Sequence, residues 1–189
     1  MRAAVFYATR EGQARRIAER VSTDLRAQRM EVDLFDVRQL RGRIDWKAYG
    51  AAFVIASVHL GHHEREMVRF VREHRAELDA LSAAFLSVSL SQAGAQDEAA
   101  AIEKRDRARA DVRWMIEAFS VETGWKPQRC LPVAGALAYS RYNFLVRLVM
   151  KRIARQAGAS TDTSRDWEFT DWPAVDRFVL EHAGLARAS

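Results

Sequence analysis

Ala3-Ala4-Val5-Phe6-Tyr7-Ala8-Thr9-Arg10-Glu11-Gly12-Gln13-Ala14 runs from an apolar stretch through a short polar turn into a helical pattern. An unbroken apolar run at the start is how a parallel strand buried on both faces reads. Ala14, Ile17, Ala18, Val21 and Leu25 then recur at the i, i+3, i+4 spacing of one helical face. The turn between strand and helix predicts an anion cradle, because N–H groups at a helix start lack intrahelical partners and the helix dipole adds partial positive charge. Thr9 adds a hydroxyl, and Gly12 lets the backbone come close. Neither G-x-G-x-x-G nor G-x-x-x-x-G-K-[ST] occurs in the chain. One glycine with a Thr hydroxyl suits a single terminal phosphomonoester better than a pyrophosphate. The alternative is that Thr9 and Gly12 serve turn chemistry alone.

The bulk composition narrows the class. A chain of 189 residues, 49% hydrophobic and 29% charged, fits one globular domain spanning residues 1–189. Cys130 is the only cysteine, which excludes an internal disulfide and the four-thiolate metal and iron–sulfur sites and makes the cytoplasm the natural compartment. The N-terminal apolar stretch is too short for a signal-peptide core, and nowhere do about 18 uncharged apolar residues run together. Thirty Lys and Arg against 25 Asp and Glu give a formal charge of +5, which favours an anionic partner or surface. The basic residues are spread over several predicted helices without a zinc-finger spacing or basic arm, which argues against nucleic acid.

Further strands are expected at Glu31–Asp36, Ala51–Ala56, Ala83–Ser89 and Cys130–Gly135, Pro132 arguing for an early or edge position in the last. Helical patterns cover Arg65–Leu78, Arg107–Thr123, Asn143–Gln156 and Trp172–His182. Strand–helix alternation implies a doubly wound, mostly parallel sheet with helices on both faces and ligands beyond the carboxyl ends of the strands. The loops from Thr9, from Ser57 and from Ser89 would then form the site. Ser91–Arg105 is polar, rich in Ala and Glu, and reads as a long loop, either a functional lid or a mobile insertion. Trp46, Trp114, Trp125, Trp167 and Trp172 read mostly as core residues.

With these loops in hand the chain resembles a flavodoxin-fold protein, and more narrowly the bacterial quinone-dependent protoporphyrinogen IX dehydrogenase family. The resemblance rests on Thr9-Arg10-Glu11-Gly12-Gln13, Ala56-Ser57-x-x-x-Gly61-His62 and Ser87-Val88-x-Leu90. It also rests on Trp125-x-Pro127-x-Arg129-Cys130, Ala134-Gly135-Ala136-Leu137-x-Tyr139-x-Arg141-Tyr142, Thr161-Asp162-Thr163 and Thr170-Asp171-Trp172. It implies a flavodoxin-like five-stranded sheet of order 2-1-3-4-5 and FMN as cofactor. The FMN phosphate would lie on Thr9, Arg10, Glu11, Gly12, Gln13 and Ala14, and the flavin ring on Ser57, Val58, His59, Leu60 and Gly61 and on Ser89, Leu90 and Ser91. Protoporphyrinogen IX would be the substrate and a membrane quinone the electron acceptor. An electron carrier or NAD(P)H:quinone reductase of the same fold is the alternative. Ala8 and Ala14 stand where many relatives carry Ser and Thr, and His59 where some carry Arg.

Other residues admit two readings each. Arg10 either screens phosphate charge or is a solvated loop residue. His59 is a candidate for polarising the flavin or contacting a propionate, and His63 reads as a surface loop histidine; the adjacent histidines diverge too much to suggest a metal site. Arg141 and Tyr142 either reach a porphyrin carboxylate or, with Tyr139, anchor a turn. The Asn143–Gln156 helix, with a basic stripe at Arg147, Lys151 and Arg155, either lies on an anionic membrane, placing the protein peripherally at its inner face, or is a core helix with a solvated stripe.

Overall fold

The computed structural model describes residues 1–137 and 167–188. In chain order these form β1 (Arg2–Ala8), α1 (Gln13–Ala27), β2 (Glu31–Asp36), a 3-10 turn at Trp46–Ala48, β3 (Ala51–His59), β4 (His62–His63), α2 (Arg65–Glu73) and α3 (Arg75–Ala80). They continue with β5 (Ser82–Ser89), α4 (Leu90–Gln96), α5 (Ile102–Thr123), β6 (Arg129–Ala134), β7 (Ala136–Leu137), β8 (Trp167–Glu168) and α6 (Trp172–Ala188). The long strands pair in parallel in the order β2-β1-β3-β5-β6. Counted along the chain, these five run 2-1-3-4-5. β4 folds back antiparallel on the end of β3, making the sheet six-stranded, and β7 pairs with β8 in a separate ribbon. β6 is an edge strand, so Pro132 withholds no donor from a second neighbour.

Strand alternation sends the apolar runs to two cores. Val5, Tyr7, Phe53, Ile55 and Leu86 pack with Ile17, Val21 and Leu25 of α1 and with Val175 and Val179 of α6. Phe6, Val54, Ala56 and Phe85 pack on the opposite face with Met67 and Val71 of α2, Phe119 of α5 and Trp125. Burial on both faces is why β1, β3 and β5 read as continuous apolar segments. Truncating a fully buried residue such as Ile17 or Phe85 to Ala costs roughly 2–5 kcal/mol.

Four expectations change. Ser91–Arg105 is not a long loop. Ser89 caps α4 by accepting the Gln92 N–H at 3.2 Å, and Asp97 then ends it in a tight turn, its carboxylate accepting the Ala99 N–H at 3.0 Å. The Ala- and Glu-rich remainder is good helix-forming sequence and starts α5 at Ile102. The Arg65–Leu78 pattern breaks at His74, whose backbone leaves the helical region while its ring packs on Trp46 and Phe70. Trp114 is 53% exposed, because α5 turns Ala108, Val112, Met115 and Phe119 inward and puts Trp114 off that face. Asn143–Gln156 lies outside the described residues.

His63 is a core residue, not a surface one. The β3–β4 hairpin pairs it with Val58 and turns it inward, where its Nε2 shares a hydrogen bond with Ser87 Oγ at 2.9 Å and its ring lies against Phe85 and Phe119. Burial, with a smaller effect of His62, lowers its pKa to about 4. An unfolded imidazole titrates near 6.5, so between these values the unfolded chain binds a proton that the native state refuses. The stability this confers is complete above about pH 6.5 and is lost as pH falls toward 4, by up to roughly 3 kcal/mol. His63→Gln, which keeps a hydrogen-bonding group but does not titrate, should flatten the fall in urea-unfolding free energy over that window. Parallel profiles for the two proteins would assign the fall to other groups, such as buried His182.

Candidate functional site

The turn after β1 is closed by a single hydroxyl. Thr9 Oγ1 accepts the Gly12 N–H at 2.9 Å and a hydrogen bond from Ser57 Oγ at 3.2 Å. Both donors spent on it leave the Thr9 hydroxyl its own proton to offer an oxyanion. Gly12 caps α1 with φ +100°, a conformation side-chain-bearing residues rarely adopt. Its carbonyl accepts the Arg16 N–H at 3.1 Å, so the helix begins there and the N–H groups of Gln13, Ala14 and Arg15 have no intrahelical acceptor. The turn therefore fits a phosphomonoester: a hydroxyl, free amides and a helix start converge on it. Ala8 and Ala14 are fully buried in the two apolar cores. Their methyls fill core space.

The loops after β1 and β3 are tied by named contacts. Besides the Ser57–Thr9 bond, His59 Nδ1 stands 3.6 Å from a Glu11 carboxylate oxygen, and Arg10 Nε donates to Glu64 at 2.9 Å. Arg10 is thus neither free for phosphate alone nor merely solvated. The hydrogen bond to Glu64, reinforced by its charge, raises the Arg10 pKa further above its ordinary value, and the half-exposed guanidinium is fixed against a carboxylate that is itself buried. Glu64 keeps one buried oxygen without a partner among the described residues. The Ser89–Ser91 segment is the start of α4, and its strand neighbours β3 with Val88 opposite Ser57. Leu60 and Gly61 form the tip of the β3–β4 hairpin, both at positive φ, with Leu60 71% exposed. His59, His62 and His63 diverge: toward Glu11, against Trp114, and into the core. Burial pushes the Cys130 thiol up to about 12, which leaves it unreactive. Tyr139, Arg141, Tyr142 and Thr161–Thr163 lie outside the described residues.

Two contributors were not read from the sequence, and a third was read as a motif without a role. Arg38, just past the end of β2, donates from Nη1 to the Thr9 carbonyl at 2.6 Å; only the strand order, which sets β2 beside β1, points to it. Glu64 carries no signal, since a carboxylate is ordinarily exposed. The third is the Thr170–Trp172 stretch. Gln13 Nε2 donates to Glu168 and to Thr170 Oγ1, each at 2.8 Å, and Thr170 in turn donates to the Ala134 carbonyl at 2.7 Å. Asp171 accepts the Ala174 N–H at 3.0 Å and caps α6. The motif thus fastens the start of α1 to the end of β6.

A flavodoxin-domain family model matches residues 4–164. The chain belongs to the flavodoxin-domain family. Among curated proteins, this flavodoxin-domain chain is 29% identical over 185 residues to the protoporphyrinogen IX dehydrogenase [quinone] of Escherichia coli K12, covering 98% of this chain and 96% of that one. A protein of the same name from Leishmania major is 29% identical, covering 97% of this chain and 75% of that one. Among solved structures, a flavodoxin from Streptococcus pneumonia TIGR4 superposes with a TM-score of 0.53 at 15% identity, over 97% of this chain and 99% of that one, which shows the fold. Among the described residues, no helix is long and apolar enough to cross a membrane.

The Thr170 hydroxyl can be tested alone. Thr170→Val preserves shape but leaves the Ala134 carbonyl without its donor and removes one acceptor of Gln13. The expected loss is about 1–2 kcal/mol in urea unfolding. An unchanged midpoint would mean that this bond holds nothing in place.

Proposed function

We propose that this flavodoxin-domain protein is an FMN-dependent dehydrogenase that oxidises protoporphyrinogen IX and delivers the electrons to a membrane quinone. The observation that carries the reading is the near end-to-end likeness to the E. coli enzyme of that name, over 98% of this chain and 96% of the other. That span takes in the motifs around Trp125, Gly135 and Thr170 as well as the phosphate turn, so it asks for more than a shared fold.

In this reading Thr9, Gly12, Gln13 and Ala14 hold the FMN phosphate through hydroxyl and amide donors, while Arg10, anchored by Glu64, offsets its charge. Ser57, Val58, His59, Leu60 and Gly61, with Ser89, Leu90 and Ser91, orient the ring. A bound flavin supplies the hydride-level redox chemistry between a carbon donor and a quinone. His59, backed by Glu11, faces the ring edge, and Arg141 and Tyr142 serve the substrate carboxylates. One phosphate turn without a second nucleotide fingerprint favours FMN over FAD. The formal charge of +5 suits a dianionic substrate and peripheral contact with an anionic membrane at its cytoplasmic face.

Two measurements test this. Reconstitution followed by flavin-fluorescence quenching should show preference for FMN, and Gly12→Val should weaken FMN binding about tenfold or more, because the left-handed backbone strains any β-branched residue. Preference for FAD, or a Gly12→Val variant that binds as wild type, would move the cofactor elsewhere. The FMN-loaded protein under anaerobic conditions should form fluorescent porphyrin from protoporphyrinogen IX only when quinone is added, with NAD(P)H a poor electron donor. Rapid flavin reduction by NAD(P)H without porphyrin formation would establish the quinone-reductase alternative.

A further inference from the structure

We infer that a cavity at the free edge of β6 is the site where the quinone head group docks. The inference rests on the proposed dehydrogenase function and gives its electron acceptor a place of its own. The cavity holds about 150 Å³ and lies between α4 and the start of α6, open to solvent on one side. Leu131 and Pro132 of β6 and Val175 of α6 line it with apolar surface, while Gln92, Gln96 and Asp171 bring the polar groups. A mostly apolar hollow with a few convergent polar side chains is how small-molecule sites are built.

The cavity adjoins the proposed flavin site through α4. That helix starts on Ser89–Ser91, the segment assigned to the flavin ring, and Gln92 comes next. The Ser89 hydroxyl holds this first turn by accepting the Gln92 backbone N–H at 3.2 Å. The Gln92 side chain lines the cavity, and that of Gln96 follows one helical turn later on the same face. Neither side-chain amide has a hydrogen-bond partner among the described residues.

Size, charge and hydrogen-bonding capacity select the occupant. A volume of 150 Å³ is half or less of the roughly 300–1,000 Å³ that encloses a drug-sized ligand, so the hollow admits one small ring system and not four linked pyrroles. Among the described residues no Lys or Arg lines it, and Asp171 sets a carboxylate on its wall, fixed by accepting the Ala174 N–H at 3.0 Å. A dianionic substrate is therefore repelled, whereas a neutral quinone is not. The two glutamines suit both forms of the acceptor. An amide donates to a quinone carbonyl and, turned over, accepts from a quinol hydroxyl. Each pair of electrons and pair of protons withdrawn from the porphyrinogen converts one quinone into one quinol, so the same residues meet carbonyls before the transfer and hydroxyls after it. The open side gives an apolar tail a way out of the cavity.

The test uses FMN-loaded wild type, a Gln92→Leu/Gln96→Leu double variant and Ala174→Phe, which sets a larger side chain on the cavity wall. Circular dichroism, urea midpoint and FMN affinity check that fold and flavin site are intact. Menadione, a naphthoquinone without a tail, is the probe. Its Kd is read by equilibrium dialysis, and its KM, with that for porphyrinogen, from anaerobic porphyrin formation. The double variant should weaken menadione about tenfold in both Kd and KM, as the loss of two ordinary hydrogen bonds does, while porphyrinogen KM stays put. Ala174→Phe should act in the same direction. A sulfonated naphthoquinone should bind wild type more weakly than menadione, and Asp171→Asn, which keeps the helix cap, should narrow that difference. Menadione Kd and KM at wild-type values in both cavity variants, or a rise confined to porphyrinogen KM, would overturn the cavity assignment while leaving the dehydrogenase reading intact. Menadione binding that depends on Gln92 and Gln96 in a protein that forms no porphyrin would overturn the dehydrogenase reading and leave the quinone site standing.

Discussion

The bond from the Gly12 amide to the Thr9 hydroxyl is the constraint around which the rest of the site is arranged. At 2.9 Å it closes the turn between β1 and α1, and Ser57 clamps the same oxygen from β3. Arg38 holds the Thr9 carbonyl from the far side. Such a bond contributes only about 1 kcal/mol, much less than truncation of any one of the buried residues Ile17, Leu25 or Phe53 would cost. The core supplies stability, and the hydroxyl supplies direction. With Gly12 held at positive φ, α1 starts where its free amides face the turn while its apolar stripe still reaches the sheet.

From that turn a ring of hydrogen bonds passes through every loop at the carboxyl ends of β1, β3, β5 and β6. Thr9 joins Ser57, and β3 and β5 pair up to Ser57 and Val88. The Ser89 carbonyl accepts the Gly135 N–H at 3.0 Å, and the Gly135 carbonyl accepts the Phe169 N–H at 3.1 Å. Thr170 returns the path to Gln13 at the first residue of α1. Motifs 157 positions apart in sequence therefore belong to one structure. A sheet edge and a helix start drift independently unless something spans them, and the β6–Thr170–Gln13 link is that span.

The central strands were legible because burial on both faces leaves only one pattern, which Ala51–Ala56 and Ala83–Ser89 follow, and the edge strand Glu31–Asp36 because it alternates as a half-buried strand does. Pro132 likewise marked the edge, since a missing donor is tolerated there. The turn at Thr9 was legible because its chemistry is local. What failed depends on partners distant in sequence. His63 has the same composition around it whether its hairpin turns it outward or into the Phe85–Phe119 stack, and Trp114 differs from a core tryptophan only by its angle on α5. Ser91–Arg105 looked like a loop because its polarity hid the capping by Ser89 and the Asp97 turn. Glu64 could not be foreseen at all, because its burial depends on Arg10 reaching it across 54 positions.

That pairing also decides how the site recognises an anion. Arg10 faces Glu64, so the charge of each is offset by the other, and His59 stands beside Glu11. Selectivity at the turn then comes from the placement of amides and a hydroxyl, neutral donors fixed in direction by the fold. The surplus of positive charge, +5 over the whole chain, acts at longer range, where salt screens it within about 8 Å under physiological conditions. Capture of an anionic molecule from solution should feel that field, whereas its retention in the turn depends on geometry set by Thr9 and Gly12. A turn built from amides and a hydroxyl inside a basic protein separates these two tasks, because the field that draws an anion in need not be the force that holds it.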